Sequence, residues 1–262
     1  MTSTGSLTDA PSPAPSRAGS PAPFRAPGGV LAGDGPRTAA ALLADASLVM
    51  WDFDGPLCHL FAGLSAPLVA AELRGFARGR GLDTRALREV DDPLELCASV
   101  HRRFAGSAPG TVDAVRGALD RLEERAARRA APTPGARELL GRLRELGKRQ
   151  VVVSNNSAGA VAGYLRDHGL EPYVAQVVGR PCDPDLMKPH PHSLEKALTT
   201  AGADAADALM IGDSAADALA AAKVGAAFLG YATRPARAAA LRAAGAEHLT
   251  DDLGAQAAAL GG

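Results

Sequence analysis

The sequence predicts an α/β fold: a three-layer parallel sheet with helices on both faces, interrupted by an all-helical insert. Three observations predict it. Short apolar runs end near residues 51, 153, 178, 211 and 229, and helical patterns alternate with the last four. Residues 57–131 carry helical spacing and no strong strand. Polar residues gather just after the strands, where open parallel sheets bind their ligands.

The elements follow in order. Residues 1–36 are rich in Ser, Pro, Ala and Gly, with few large apolar residues to offset the entropy of ordering. They read as a disordered tail, without the apolar central region of a secretory signal. Residues 37–45 lead as a short helix or a linker into the first strand. Helices are expected over 61–80, 83–90, 93–104 and 112–129. Strand signals return at 150–153, after a helix over 135–146 bounded by Pro134 and Gly147. Then come helix 158–168, strand 174–178, helix 191–201, strand 208–211, helix 215–224, strand 226–229 and helix 235–244. Residues 248–250 suit a short edge strand. The expected division is a tail over 1–36, a core over 37–56 and 132–262, and a helical insert over 57–131.

Composition excludes several classes. The 262 residues suffice for one good core plus a smaller insert. A net charge of −1 gives no reason to expect nucleic acid or an anionic membrane as partner. No apolar stretch approaches the roughly 20 residues that span a bilayer. Cys58, Cys97 and Cys182 are odd in number and widely spaced, which suits a reducing cytoplasmic setting rather than a disulfide framework. Cys58-His59 lacks the second close pair that a zinc site needs. Lysine occurs only at 148, 188, 196 and 223, so each one raises the question of why a compact ammonium stands there.

The chemistry starts at residues 48–57, L-V-M-W-D-F-D-G-P-L. An apolar run of strand length leads into Asp52 and Asp54, which alternation places on one face. Two carboxylates that close repel unless a cation lies between them. They also suit a solvated strand end, so the motif alone leaves both readings open. Further strand ends carry Ser154-Asn155-Asn156-Ser157, then Asp183, Asp185 and Lys188, then Gly212-Asp213-Ser214-Ala215-Ala216-Asp217. Singly these have plain explanations: Ser157 is a good N-cap, and Ser214 with Asp217 fits a capping box. Together, acidic groups after two strands with a lysine between them exceed what caps require.

This constellation resembles the haloacid dehalogenase superfamily, over residues 47–260. D-F-D-G is similar to its first motif, S-N-N to its second, K-P to the lysine of its third and G-D-S-A-A-D to its fourth. The helical insert resembles the cap of its phosphoglycolate-phosphatase-like branch. Pro56 departs from the Thr or Val common in the family and bears on a local hydrogen bond there.

The resemblance implies a Rossmann-like core and a Mg²⁺-dependent phosphatase acting on a small phosphorylated metabolite. Asp52 would attack phosphorus to form an aspartyl-phosphate. Asp54 would act as general acid and then base. Asp52, the Asp54 carbonyl and Asp213 would hold Mg²⁺, with Asp217 binding a metal water or orienting Lys188. Ser154 and Lys188 would bind phosphoryl oxygens, beside Asn155. On the insert, Arg102 and Arg103 are candidates to bind the rest of the substrate, with His101, Arg78 and Arg80 as further options. His190 and His192 either line the pocket or lie on an exposed loop. The alternatives are a sugar-phosphate mutase with the same core residues and a non-catalytic phosphate-binding regulator. A dehalogenase is disfavoured by Asp54.

Overall fold

The computed structural model describes Met1 and residues 38–261. The tail expected over 1–36 lies, Met1 apart, outside the described residues. In chain order the elements are α1 (Ala39–Asp45), β1 (Leu48–Trp51), β2 (Cys58–His59), α2 (Ala66–Gly79), α3 (Pro93–Phe104), α4 (Pro109–Ala127), β3 (Ala131–Pro132), α5 (Ala136–Glu145), β4 (Arg149–Val153), α6 (Ala158–Asp167), β5 (Gln176–Val178), α7 (His192–Ala201), β6 (Ala208–Gly212), α8 (Ala215–Val224), β7 (Ala227–Tyr231), α9 (Pro235–Ala243), β8 (His248–Thr250) and α10 (Leu253–Ala259).

Six strands form one parallel sheet in the order β5-β4-β1-β6-β7-β8. This is the expected α/β, Rossmann-like sheet. β1 is fully buried, and its alternation divides the core. Val49 and Trp51 pack on the face covered by α1, α5, α6 and α10, through residues such as Leu43, Leu140, Tyr164 and Leu253. Leu48 and Met50 pack on the face of α7, α8 and α9, through Leu194, Ala221 and Leu241. The chain leaves β1 towards β4 and β5 and returns on its other side as β6, β7 and β8. That reversal beside β1 is a switch point, which opens a crevice at the strand ends.

Helices α2, α3 and α4 bury a separate apolar cluster that includes Val69, Leu73, Leu96, Val100, Val115 and Leu119. Phe61 and Leu64 pack against both this cluster and the sheet's core. The two connections to these helices pair with each other: Cys58 and His59 lie antiparallel to Pro132 and Ala131.

Some expected elements differ. The helix expected over 61–80 starts only at Ala66, where a proline in the first turn fixes the start. Residues 83–90 form a single 3₁₀ turn, Arg85–Leu87. There the Asp83 carboxylate accepts from the Arg85 N–H at 3.1 Å, an alternative to helical pairing. The β2–β3 ribbon is two residues deep, too short for a period to show.

Candidate active site

Every strand end singled out in the sequence meets at this crevice. β1 pairs with β4 and β6 so that Trp51 stands opposite Val152 and Ile211. Asp52 therefore emerges between the ends of those strands, its N–H donating to the Ile211 carbonyl at 2.8 Å. Lys188 comes from the loop after β5 and is 6 % exposed. Its Nζ donates to Asp52 Oδ1 at 2.9 Å and to the Val153 carbonyl at 2.8 Å. Asp217 Oδ1 lies 2.6 Å from the same Nζ, an ionic contact outside hydrogen-bond geometry.

Asp217 combines two explanations that the sequence held apart. The capping box with Ser214 is present. Asp217 Oδ2 accepts from the Ser214 Oγ at 2.6 Å and from its N–H at 3.1 Å. The other oxygen faces Lys188, so one carboxylate caps α8 and reaches the crevice. Gly212 makes room for it, because a Cβ there would lie 2.5 Å from the Asp217 Cβ.

Carboxylate oxygens of Asp52, Asp213 and Asp217 lie within 4.8 Å of one another. Against these three stand Lys188 and Arg237, a residue that the sequence reading missed. Arg237, on α9, pairs with the Asp213 carboxylate and donates to its carbonyl at 2.9 Å. Three carboxylates against two cations leave the cluster short of positive charge. Burial raises the Asp52 pKa, Asp217 raises it further, and Lys188 opposes both. Burial alone would lower the pKa of the Lys188 ammonium, but Asp217 and Asp52 outweigh it and keep it charged. Asp213 is pushed up to about 7, by burial first and then by Asp52. An all-oxygen donor set of this kind fits a hard divalent cation such as Mg²⁺.

Asp54 stands apart from this triad. Its Oδ1 accepts from the Leu60 N–H at 2.8 Å, so its carboxylate belongs to the turn after β1. Burial raises its pKa, and the Leu60 N–H partly opposes that. The turn carbonyl at Gly55 accepts from Thr133 Oγ1 at 2.6 Å, which ties the Gly55-Pro56 turn to the end of the helical insert.

Ser154 is buried, and its Oγ accepts from the Asn156 N–H at 3.1 Å. Asn155 clamps the backbone of Lys188. Its Oδ1 accepts from the Lys188 N–H at 2.9 Å, and its Nδ2 donates to the Lys188 carbonyl at 3.1 Å. Arg102 pairs with Glu95 at 2.7 Å and faces Asp185, in the loop before Lys188, at 3.7 Å. Arg103 is exposed, its guanidinium over the Phe104 ring at 5.8 Å. Neither arginine has a described contact with the carboxylate cluster. Arg78 and Arg80 are exposed, and His190 is exposed with its Nδ1 accepting from the His192 N–H. Cys58 is buried, its thiol pKa raised by burial, so it is a core residue and not a nucleophile.

The fold and cluster define an α/β protein with an acidic, lysine-bearing cluster at the switch point of its sheet. The chain belongs to the haloacid dehalogenase-like hydrolases, whose family model matches residues 46–225. Among curated relatives, a phosphoglycolate phosphatase from Rhodospirillum rubrum is 30 % identical over 193 residues, covering 64 % of this chain and 72 % of that protein. One from Caulobacter vibrioides is 34 % identical over 107 residues, so the match spans 41 % of this chain and 45 % of the relative. Among solved structures, a CbbY mutant from Rhodobacter sphaeroides in complex with xylulose-(1,5)bisphosphate superposes with a TM-score of 0.60 at 20 % identity, covering 80 % of this chain and 95 % of that one. A hydrolase from Pseudomonas syringae gives 0.57 at 21 % identity, covering 79 % and 94 %. These structural likenesses carry the fold.

Proposed function

We propose that this protein is a Mg²⁺-dependent phosphatase that hydrolyses a small phosphomonoester through an aspartyl-phosphate. The observation that carries the reading is the Lys188 ammonium, 2.9 Å from Asp52 Oδ1, beside three carboxylates that need one more cation. The relatives named phosphoglycolate phosphatase support a small phosphorylated metabolite as substrate. Three free cysteines suit a reducing cytoplasmic setting. No described helix is long and apolar enough to cross a membrane.

Asp52 would attack phosphorus, forming the Asp52 O–P bond as the P–O bond to the leaving alcohol breaks. Asp54 would give its proton to that leaving oxygen. The raised pKa of its buried carboxyl favours the protonated form that this step needs. Asp54 would then take a proton from the water that attacks phosphorus and frees Asp52. Lys188 and Ser154 would hold the phosphoryl oxygens, with Asn155 fixing the Lys188 backbone. Asp52, Asp213 and the Asp54 carbonyl would hold Mg²⁺, with Asp217 behind them. When bound, the ion would supply charge neutralisation between the nucleophile and the phosphoryl group. Residues 57–131 would form a cap over this crevice, with β2 and β3 as its paired hinge and Arg102 and Arg103 on its substrate side.

A panel of phosphorylated metabolites, phosphoglycolate included, tests the reading with wild type and Asp52→Asn in Mg²⁺. Phosphate release by wild type alone is expected. Equal release by both proteins, or by neither, would refute it.

A further inference from the structure

The proposed mechanism leaves a buried ion pair, Glu123 with Arg180, unused. Glu123, on α4, is 0 % exposed and reaches into the loop after β4. Its Oε1 accepts from Asn156 Nδ2 at 3.0 Å and its Oε2 from the Ser157 N–H at 2.9 Å. Arg180 closes the set, with Nη1 2.7 Å from Oε1 and Nη2 2.9 Å from Oε2. The same guanidinium pairs with Asp120 and donates to the Asn155 carbonyl at 3.2 Å. The Arg180 N–H donates to the Asn156 carbonyl at 2.8 Å.

Stability alone is a weak reason for this arrangement. A buried ion pair loses solvation that its attraction barely repays, and well-packed apolar residues do as well or better. Capping α6 is a weak reason too, because Ser157 Oγ already accepts from the Ala160 N–H at 3.2 Å. What the arrangement does achieve is order along a line. Glu123 and Arg180 hold Asn155, Asn156 and Ser157. Asn155 holds both backbone groups of Lys188, and Lys188 Nζ meets Asp52. Asn156 also holds Ser154, whose Oγ donates to Asn156 Oδ1 at 3.2 Å.

We propose that Glu123 is a positioning residue: from the helical insert, through Arg180 and the 154–157 loop, it sets the place of the Lys188 ammonium. This deepens the phosphatase reading and rests on Lys188 meeting the phosphoryl group. An amide cannot reproduce the set. Glu123→Gln turns an NH₂ towards the guanidinium and either Asn156 Nδ2 or the Ser157 N–H, leaving donor against donor and Arg180 undercompensated.

The test uses the full chain, with hydrogen–deuterium exchange and turnover of p-nitrophenyl phosphate. Glu123→Gln should speed exchange in peptides covering 154–157 and also in the peptide containing Lys188, with α10 unchanged. Its kcat should fall about tenfold with KM nearly constant, as expected when a binding group is displaced by a fraction of an ångström. Faster exchange confined to α4 and 154–157, with kcat unchanged, would overturn the proposal and leave Glu123 as mere packing. Should Glu123→Gln fail to fold, Arg180→Lys keeps a cation beside Glu123 but loses the two-pronged pairing with Glu123 and the bond to the Asn155 carbonyl. It should give the same change at Lys188, and no change there would overturn the proposal. A wild-type protein inactive on every phosphate ester would count against the phosphatase reading, while the exchange result would still decide the positioning role.

Discussion

Gly55 lies so close to Asp213 that any Cβ at position 55 would overlap the Asp213 carboxylate. The backbone of the turn after the first strand is thus fitted against the Asp213 side chain beyond β6. Gly55 also has φ +114°, a conformation that side chains other than glycine's rarely adopt. Gly55→Ala combines strain of roughly 1–3 kcal/mol with displacement of Asp213. It should lower the melting temperature and weaken Mg²⁺ binding together. Calorimetric titration with Mg²⁺ beside a thermal melt checks this; unchanged Mg²⁺ affinity would contradict it.

Arg237 neutralises the same Asp213 from α9. Removing it should leave the carboxylate cluster shorter of positive charge. Arg237→Gln should therefore destabilise the metal-free protein and tighten Mg²⁺ binding. An unchanged or higher Mg²⁺ dissociation constant would show that the pair does not compete with the ion.

Protonation and metal binding should be linked with a definite sign. Asp213 is raised from 3.8 to about 7, and Asp52 is raised as well. Between those values the folded, metal-free protein holds more protons than the unfolded chain, so its stability falls as pH rises from about 4 to about 7. A bound cation favours the ionised carboxylates and reverses that loss. The gain in melting temperature on adding Mg²⁺ should be larger at pH 8 than at pH 5. Equal gains at both would contradict the raised carboxylates.

Lys188→Arg should be poorly tolerated, although 28 cationic residues include only four lysines. The ammonium side chain is 2 % exposed and shared by Asp52 and Asp217. A planar fork needs a different space and different acceptors. Turnover should drop by about 10²-fold, read with p-nitrophenyl phosphate. Wild-type turnover would make Lys188 dispensable.

Much of this was legible in the sequence because it is local. Leu48–Trp51, Pro93–Phe104 and Ala215–Val224 fall where apolar runs and helix signals put them. Asp52, Asp213 and Lys188 converge because the sheet brings those strand ends together. What escaped was non-local or weakly patterned. The last helix, Leu253–Ala259, is largely alanine and shows little periodicity. Arg237 reaches Asp213 across 24 residues, which no motif spacing encodes. Glu123 stands in the charge-rich stretch 120–125, where no motif singles it out. The one available signal was its spacing, four residues after the buried Leu119 and three before the buried Ala126. Asn155 took its place in the second motif, yet its partner is the Lys188 backbone, 33 residues on.

The central claim is that Asp52 is the nucleophile and Asp54 the proton carrier. The two differ in surroundings: Asp52 meets Lys188, and Asp54 meets the Leu60 N–H. Asp54→Asn keeps the nucleophile and loses proton transfer, a loss of roughly 10²–10⁴ in rate. With p-nitrophenyl phosphate the leaving group needs little protonation, so hydrolysis of the intermediate should suffer most. The most direct measurement is intact mass of Asp54→Asn, rapidly quenched during turnover in Mg²⁺, with peptide mapping of the adduct. The account predicts one phosphoryl group, on Asp52, and none on Asp52→Asn under the same conditions. A phosphoryl group on Asp52→Asn, or full turnover by both variants, would contradict it.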